Sequence, residues 1–178
     1  IGASSEAQMT TMKAAFEGVT VRDVMTPADR VQTVAPELSV AELMELMFRE
    51  RHTGFPVVDS GRVLGLVTLA DARAVREVER EAFRTDEVMT TDLRTIHPDE
   101  NAMTAMTRMQ ADNIGRLLVM EDGEFVGLLT RSDLLTALNI IKEGGSIRRE
   151  SAAGAASEPR LQNDESDTQN TTAFDRED

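Results

Sequence analysis

A chain of 178 residues with 32 acidic against 19 basic side chains, a formal net charge of −13, repels nucleic acid and anionic lipid over its body. Cysteine is absent, which excludes disulfides, thiolate nucleophiles and cysteine zinc sites, and His52 and His97 stand too far apart for a metal-ligand spacing. Six Phe without Trp or Tyr leave no aromatic platform for single-stranded nucleic acid. Only Lys13 and Lys142 among the basic residues are lysines, and the acidic bias fits a salt-filled cytoplasm in which screening removes most carboxylate repulsion. No run of roughly 18 apolar residues and no export signal is evident. The start at Ile1 is read as processing or as excision from a longer protein.

Residues 1–5 read as a loose start, followed by a helix over Glu6–Phe16 with Met9, Met12, Ala15 and Phe16 on one face, ended by Gly18. Thr20 caps one short turn through Met25 before Pro27 interrupts it. A strand around Val31–Val34 leads through Pro36 to a capping box, Ser39 and Glu42. The box opens a helix with Val40, Leu43, Met44, Met47 and Phe48 along its apolar stripe. Phe55–Val58 and Val63–Val67 form a hairpin around Asp59-Ser60-Gly61, and Thr68 caps a helix expected to run to about Ala82.

The same order then returns. A strand near Arg94–Ile96 precedes a helix capped by Asn101, with Ala102, Ala105, Met106 and Met109 inward. Leu117–Met120 and Phe125–Leu129 flank the turn Glu121-Asp122-Gly123, and Thr130 opens a last helix carrying Leu134, Leu135, Leu138 and Ile141. The expected division is a linker helix over 1–18, units over 19–83 and 84–143, and a disordered acidic tail over 144–178, whose last 33 residues hold four arginines against eight acids.

The duplication is direct. Gly65-Leu66-Val67-Thr68-Leu69-Ala70-Asp71 recurs 62 residues later as Gly127-Leu128-Leu129-Thr130-Arg131-Ser132-Asp133, and Val24-Met25-Thr26 returns as Val88-Met89-Thr90 at a step of 64. A unit of about 60 residues leaves much apolar area open, so two copies are expected to pack together. The result is an α/β (α+β) fold, each copy a small sheet covered by helices.

A threonine followed three residues later by an aspartate is by itself a helix N-cap with a first-turn acid. Here each pair follows Gly-apolar-apolar, where a missing side chain permits close approach from outside. Helix amides suit a phosphate, threonine offers a hydroxyl, and a carboxylate accepts both hydroxyls of a ribose. These groups match a nucleotide. Neither copy assembles nucleophile, base and orienting partner, so no catalytic residue is assigned.

On the two Gly-x-x-Thr-x-x-Asp elements, the two Val-Met-Thr elements and Phe55-Pro56-Val57-Val58-Asp59, the chain resembles tandem cystathionine-beta-synthase (CBS) domain pairs over about residues 19–142. The resemblance implies two pseudo-twofold-related domains, each a three-stranded sheet with two helices, that bind AMP, ADP, ATP or S-adenosylmethionine. Mg2+ is expected to accompany ATP. It also implies ribose contacts at Asp71 and Asp133, ribose or phosphate contacts at Thr68 and Thr130, and cleft walls near Thr33, Thr95, Gly54-Phe55-Pro56 and Gly115-Arg116-Leu117. Arg131 and Arg116 are candidate phosphate ligands, and since Leu118 stands where the first copy has Pro56, one competent cleft is expected over two.

Ile1–Gln8 followed by Val21–Thr26 resembles the segment after the membrane portion of site-2-protease-like intramembrane zinc metalloproteases of salt-loving archaea. No HExxH element is present in this chain. The implied role is regulation of an attached or associated effector, foremost a membrane metalloprotease with this module on its cytosolic face, or a channel or transporter, through a CBS homodimer. An empty-cleft structural dimerisation module is the alternative.

Overall fold

The computed structural model describes residues 4–146; the acidic tail expected beyond them lies outside the described residues. Ser4 caps α1 (Ser5–Ala15), after which the fully buried Phe16 and Gly18 at φ +70° turn the chain. Asp23 accepts the Thr20 N–H and hydroxyl at 2.9 and 3.0 Å, fixing the single turn α2 (Val21–Val24) ahead of β1 (Thr26–Pro27). Then come α3 (Val40–Glu50), the hairpin β2 (Gly54–Asp59) and β3 (Arg62–Thr68), and α4 (Leu69–Ala74). The second copy runs α5 (Thr85–Val88), β4 (Thr95–Ile96), α6 (Ala102–Asp112), β5 (Arg116–Glu121), β6 (Glu124–Thr130) and α7 (Arg131–Lys142).

Each copy surrenders its first segment to the other. β1 closes the edge of the second copy's sheet, in the order β1-β6-β5-β4, with Thr26 opposite Leu128, while Thr90 bridges Leu66 of the first copy. The helix turns follow suit. Arg22 N–H donates to the Pro98 carbonyl at 2.9 Å, and Asp86 N–H to that of Pro36 at 3.1 Å. Accordingly Phe16 and Val21 lie in a core with Met109, Leu117, Leu129 and Leu134, whereas Val88 and Met89 pack on a core of Val40, Leu43, Phe55, Val57 and Val67. Neither core closes without the other copy's segment.

This exchange reassigns the repeated glycines. A Cβ on Gly127 would lie 2.6 Å from Met25 Sδ and 2.7 Å from the Thr26 carbonyl; on Gly65 it would lie 2.6 Å from Met89 Sδ and 2.8 Å from the Thr90 carbonyl. The close approach expected from an outside ligand is made instead by the chain's own Met-Thr segments. Repeated glycine and repeated Val-Met-Thr are two sides of one contact.

Three further expectations change. The helix opened by Thr68 stops at Ala74, not near Ala82, because the chain bends back to place the Arg80 and Phe83 carbonyls on the Ala41 and Val40 N–H groups, at 3.0 and 2.9 Å. These carbonyls satisfy first-turn donors of α3 that have no intrahelical partner. The strand expected over Val31–Val34 contracts to a bridge between Val34 and Val57. In the second copy Leu118 N–H donates to Arg94 at 2.9 Å and extends the pairing into β4, but its counterpart Pro56 has no N–H to give. Lastly, Phe48 is 84% exposed and Leu135 45% exposed, so neither joins the core stripe assigned to it.

Gly127→Ala and Gly65→Ala are each expected to destabilise the chain by about 2 kcal/mol, since the obstructing carbonyls are main chain and cannot swing aside. Urea unfolding of each variant checks this, and a midpoint equal to wild type would refute the exchanged contact.

Candidate functional site

Two clefts open where the copies meet, related by the same pseudo-twofold axis. The larger, about 540 Å³, is lined by Thr26, Leu128 and Thr130; the smaller, about 260 Å³, by their counterparts Thr90, Leu66 and Thr68. Of the residues singled out in the sequence, Gly54, Phe55, Gly115, Arg116, Thr130, Arg131 and Asp133 come together in the larger cleft. Thr68, Gly115 and Arg116 line the smaller. Thr33, Pro56, Asp71, Thr95 and Leu117 line neither. Pro56 and Leu117 are buried, Thr33 and Thr95 are exposed, and Asp71 is half-buried at the start of α4.

Both Thr/Asp pairs form capping boxes, but not identical ones. Asp71 Oδ2 accepts the Thr68 N–H at 2.7 Å and its hydroxyl at 2.8 Å. Asp133 Oδ2 accepts only the Thr130 N–H, at 2.8 Å, while the Thr130 oxygen accepts from the Asp133 N–H at 3.1 Å. The Thr130 hydroxyl proton and Asp133 Oδ1 therefore remain uncommitted among the described residues. The Thr130 pair faces a cavity at the N-terminus of a 12-residue helix, and α4, with six residues, is half as long.

Strand register carries the 62-residue step through the segments before the middle strand. Gly54 pairs with Thr68 and Arg116 with Thr130, so Arg116, rather than Gly115, occupies the place of Gly54, and Gly115 that of Thr53. The two positions touch across the axis. A Cβ on Gly54 would lie 2.8 Å from both Nε and Cζ of Arg116, whose Nη2 donates to Thr53 Oγ1 at 2.5 Å. Burial lowers the Arg116 pKa from its ordinary value, although a guanidinium stays charged at any physiological pH.

Arg30, Arg51 and Thr53 also line the larger cleft and escaped the sequence reading. For Arg51 and Thr53 the signal was the 62-residue step itself, which sets Arg51-His52-Thr53 against Asn113-Ile114-Gly115. Arg51 and Asn113 both end a helix in the left-handed region, at φ +60° and +50°. Among the described residues, none of Arg30, Arg51, Arg116 and Arg131 has a carboxylate within 4.0 Å; Arg131 Nη2 donates to the Ile114 carbonyl at 3.0 Å. In the smaller cleft Arg94 is already paired with Asp92 at 3.4 Å and Asp112 at 3.5 Å.

Two other features are less suited to a ligand. A depression of about 940 Å³ runs between α1 and α6, but its Arg108 is committed to Glu100 at 2.9 Å and the Thr95 carbonyl at 3.0 Å. His97, Asp99 and Glu121 gather ligand atoms within 4.8 Å, but Arg22 answers the two carboxylates at 3.5 and 2.8 Å. That cluster is an ion-pair network.

Duplicated α/β units thus exchange segments and enclose paired clefts. The CBS domain model matches residues 21–77 and 86–140, and the chain belongs to the CBS domain family as a tandem pair. Such a pair is a regulatory module, not a catalytic one. The crystal structure of CBSX2 in complex with AMP is 28% identical and superposes with a TM-score of 0.62 over 69% of this chain and 98% of that one. The CBS domain of a bacterial CNNM/CorC family Mg2+ transporter in complex with ATP shares the fold at 18% identity, TM-score 0.65, over 75% of this chain and 96% of that one.

Among curated relatives, a zinc metalloprotease of Methanocaldococcus jannaschii is 25% identical over 143 residues, 79% of this chain and 38% of its own length. The inosine-5'-monophosphate dehydrogenase of Halobacterium salinarum is 33% identical over 131 residues, 72% of this chain and 25% of the enzyme. The chain thus spans well under half the length of these relatives. Among the described residues no helix is long and apolar enough to cross a membrane.

Gly54→Ala is expected to leave the fold intact, costing about 1 kcal/mol, because the principal obstruction is the flexible end of Arg116. The displaced guanidinium should lose Thr53, which a changed Arg116 Nε–Hε resonance with a near-wild-type melting curve would report. An unchanged resonance would refute the contact.

Proposed function

We propose that this CBS pair senses an adenine nucleotide in its larger cleft and relays occupancy to an attached or associated protein. The observation that carries the reading is the larger cleft itself: four arginines without carboxylate partners converge beside the uncommitted Thr130 hydroxyl and Asp133 Oδ1, in a chain of net charge −13. Asp133 holds the ribose hydroxyls, Thr130 and the α7 amides meet the first phosphate, and Arg30, Arg51, Arg116 and Arg131 take the remaining charge. AMP in the CBSX2 complex supports the ligand class, with ATP and its Mg2+, ADP or S-adenosylmethionine as variants. The smaller cleft, with half the volume and Arg94 already neutralised, is the weaker site.

The effector in this reading is a membrane zinc metalloprotease, supported by the 143-residue likeness to the Methanocaldococcus enzyme, with the module on its cytosolic face in a salt-rich cytoplasm. A ligand shifts such a module only by its differential affinity for two packings, for which a homodimer through the CBS domains is the natural frame. The exposure of Phe48 at 84% and Val78 at 87% favours a second reading, a dimerisation module whose clefts bind nothing.

Calorimetric titration with AMP, ADP, ATP, ATP-Mg and S-adenosylmethionine, in molar KCl and in low salt, separates the two. Saturable binding is expected, weakened about tenfold or more by Asp133→Ala and little by Asp71→Ala. No heat from any ligand with folded protein would leave the dimerisation module.

A further inference from the structure

We propose that Arg116 is one anion ligand shared by two clefts, so that a phosphate tail bound in the larger cleft withdraws the cation on which the smaller depends. The inference rests on the nucleotide reading above and goes beyond it by making the two sites antagonistic through a named side chain. Arg116 lines both clefts. Its pseudo-twofold counterpart is Gly54, so the duplication supplies one guanidinium where two sites face the axis, and the missing Gly54 side chain is what lets it lie across. Its one side-chain partner among the described residues is neutral, the Thr53 hydroxyl at 2.5 Å on the larger cleft's wall. A half-buried cation held only by a hydroxyl gains most from an incoming anion.

The clefts depend on it unequally. Arg30, Arg51 and Arg131 also serve the larger one, so Arg116 adds to an existing positive field. In the smaller, Arg94 is spent on Asp92 and Asp112, and Asp92 itself lines the wall. With Arg116 drawn toward Thr53 and a bound phosphate, a second anion there meets a guanidinium already shared by two carboxylates. Linkage makes the penalty mutual: each occupied cleft weakens the other by the same factor. A ligand without phosphate escapes it.

The test titrates the isotope-labelled full chain with ATP and with adenosine, using the Thr130 and Thr68 amides as reporters of the larger and smaller clefts and Arg116 Nε–Hε as reporter of the shared group. In wild type, ATP is expected to saturate Thr130 first, with Thr68 lagging about tenfold or more while Arg116 Nε–Hε follows the first event. Arg116→Met should weaken ATP at Thr130 about tenfold and leave adenosine unchanged, with Arg116→Lys recovering part of the loss. Asp133→Ala should tighten ATP at Thr68 several-fold, and only while Arg116 is present. Gly54→Ala should narrow the gap between clefts by pushing the guanidinium off Thr53.

Equal saturation of both reporters in wild type, ATP affinity indifferent to Arg116→Met, or Thr68 binding indifferent to Asp133→Ala would each overturn the sharing while leaving nucleotide binding in place. Silence of every reporter toward both ligands in folded wild type would overturn the nucleotide reading and this inference together.

Discussion

The fold depends on a reciprocal trade in which each copy's Val-Met-Thr segment closes the other's core over a bare glycine. Met25 and Thr26 lie on Gly127, Met89 and Thr90 on Gly65, at distances where no Cβ fits. Units of this size bury too little apolar surface alone. By completing its partner's sheet edge and core, each segment makes the pair the cooperative unit. The clefts are a by-product of that arrangement, since they form where a donated strand meets the host sheet and the next helix begins.

Two substitutions then break the symmetry that duplication created. Pro56 in place of Leu118 removes one N–H and shortens the first copy's edge strand to a single bridge. Arg116 in place of Gly54 puts a cation on the axis and fills space on one side only. Neither alters the topology. Both act at the clefts, and a twofold scaffold thereby acquires a large basic cavity and a small one close to neutral.

Electrostatics separates these clefts from the rest of the surface. With a net charge of −13, most of the described arginines outside the larger cleft answer carboxylates, as Arg22, Arg76, Arg84 and Arg108 do. Exposed pairs of that kind contribute little to stability. Arg62, Arg73 and Arg80 also lack a carboxylate partner, but only Arg30, Arg51, Arg116 and Arg131 among the described unpaired arginines line the larger cleft, where a cation group beside a helix N-terminus is a standing potential for an anion. The same residues cost the apo protein some self-repulsion, which a salt-rich solvent screens.

Local patterns in the chain determined much of this. Apolar periodicity and capping boxes located the principal helices, the step of 62 residues exposed the duplication, and the paired Thr and Asp marked the helix starts that face or flank the clefts. These are short-range signals, written within a few residues of where they act. Only the tertiary structure decided which copy each Val-Met-Thr segment serves, why Gly65 and Gly127 are bare, where α4 ends, and that Arg116 stands against Gly54 with Arg30 and Arg51 beside it. Each of those depends on contacts between residues far apart in sequence, for which a repeat offers two equally patterned partners, and packing geometry alone chooses between them.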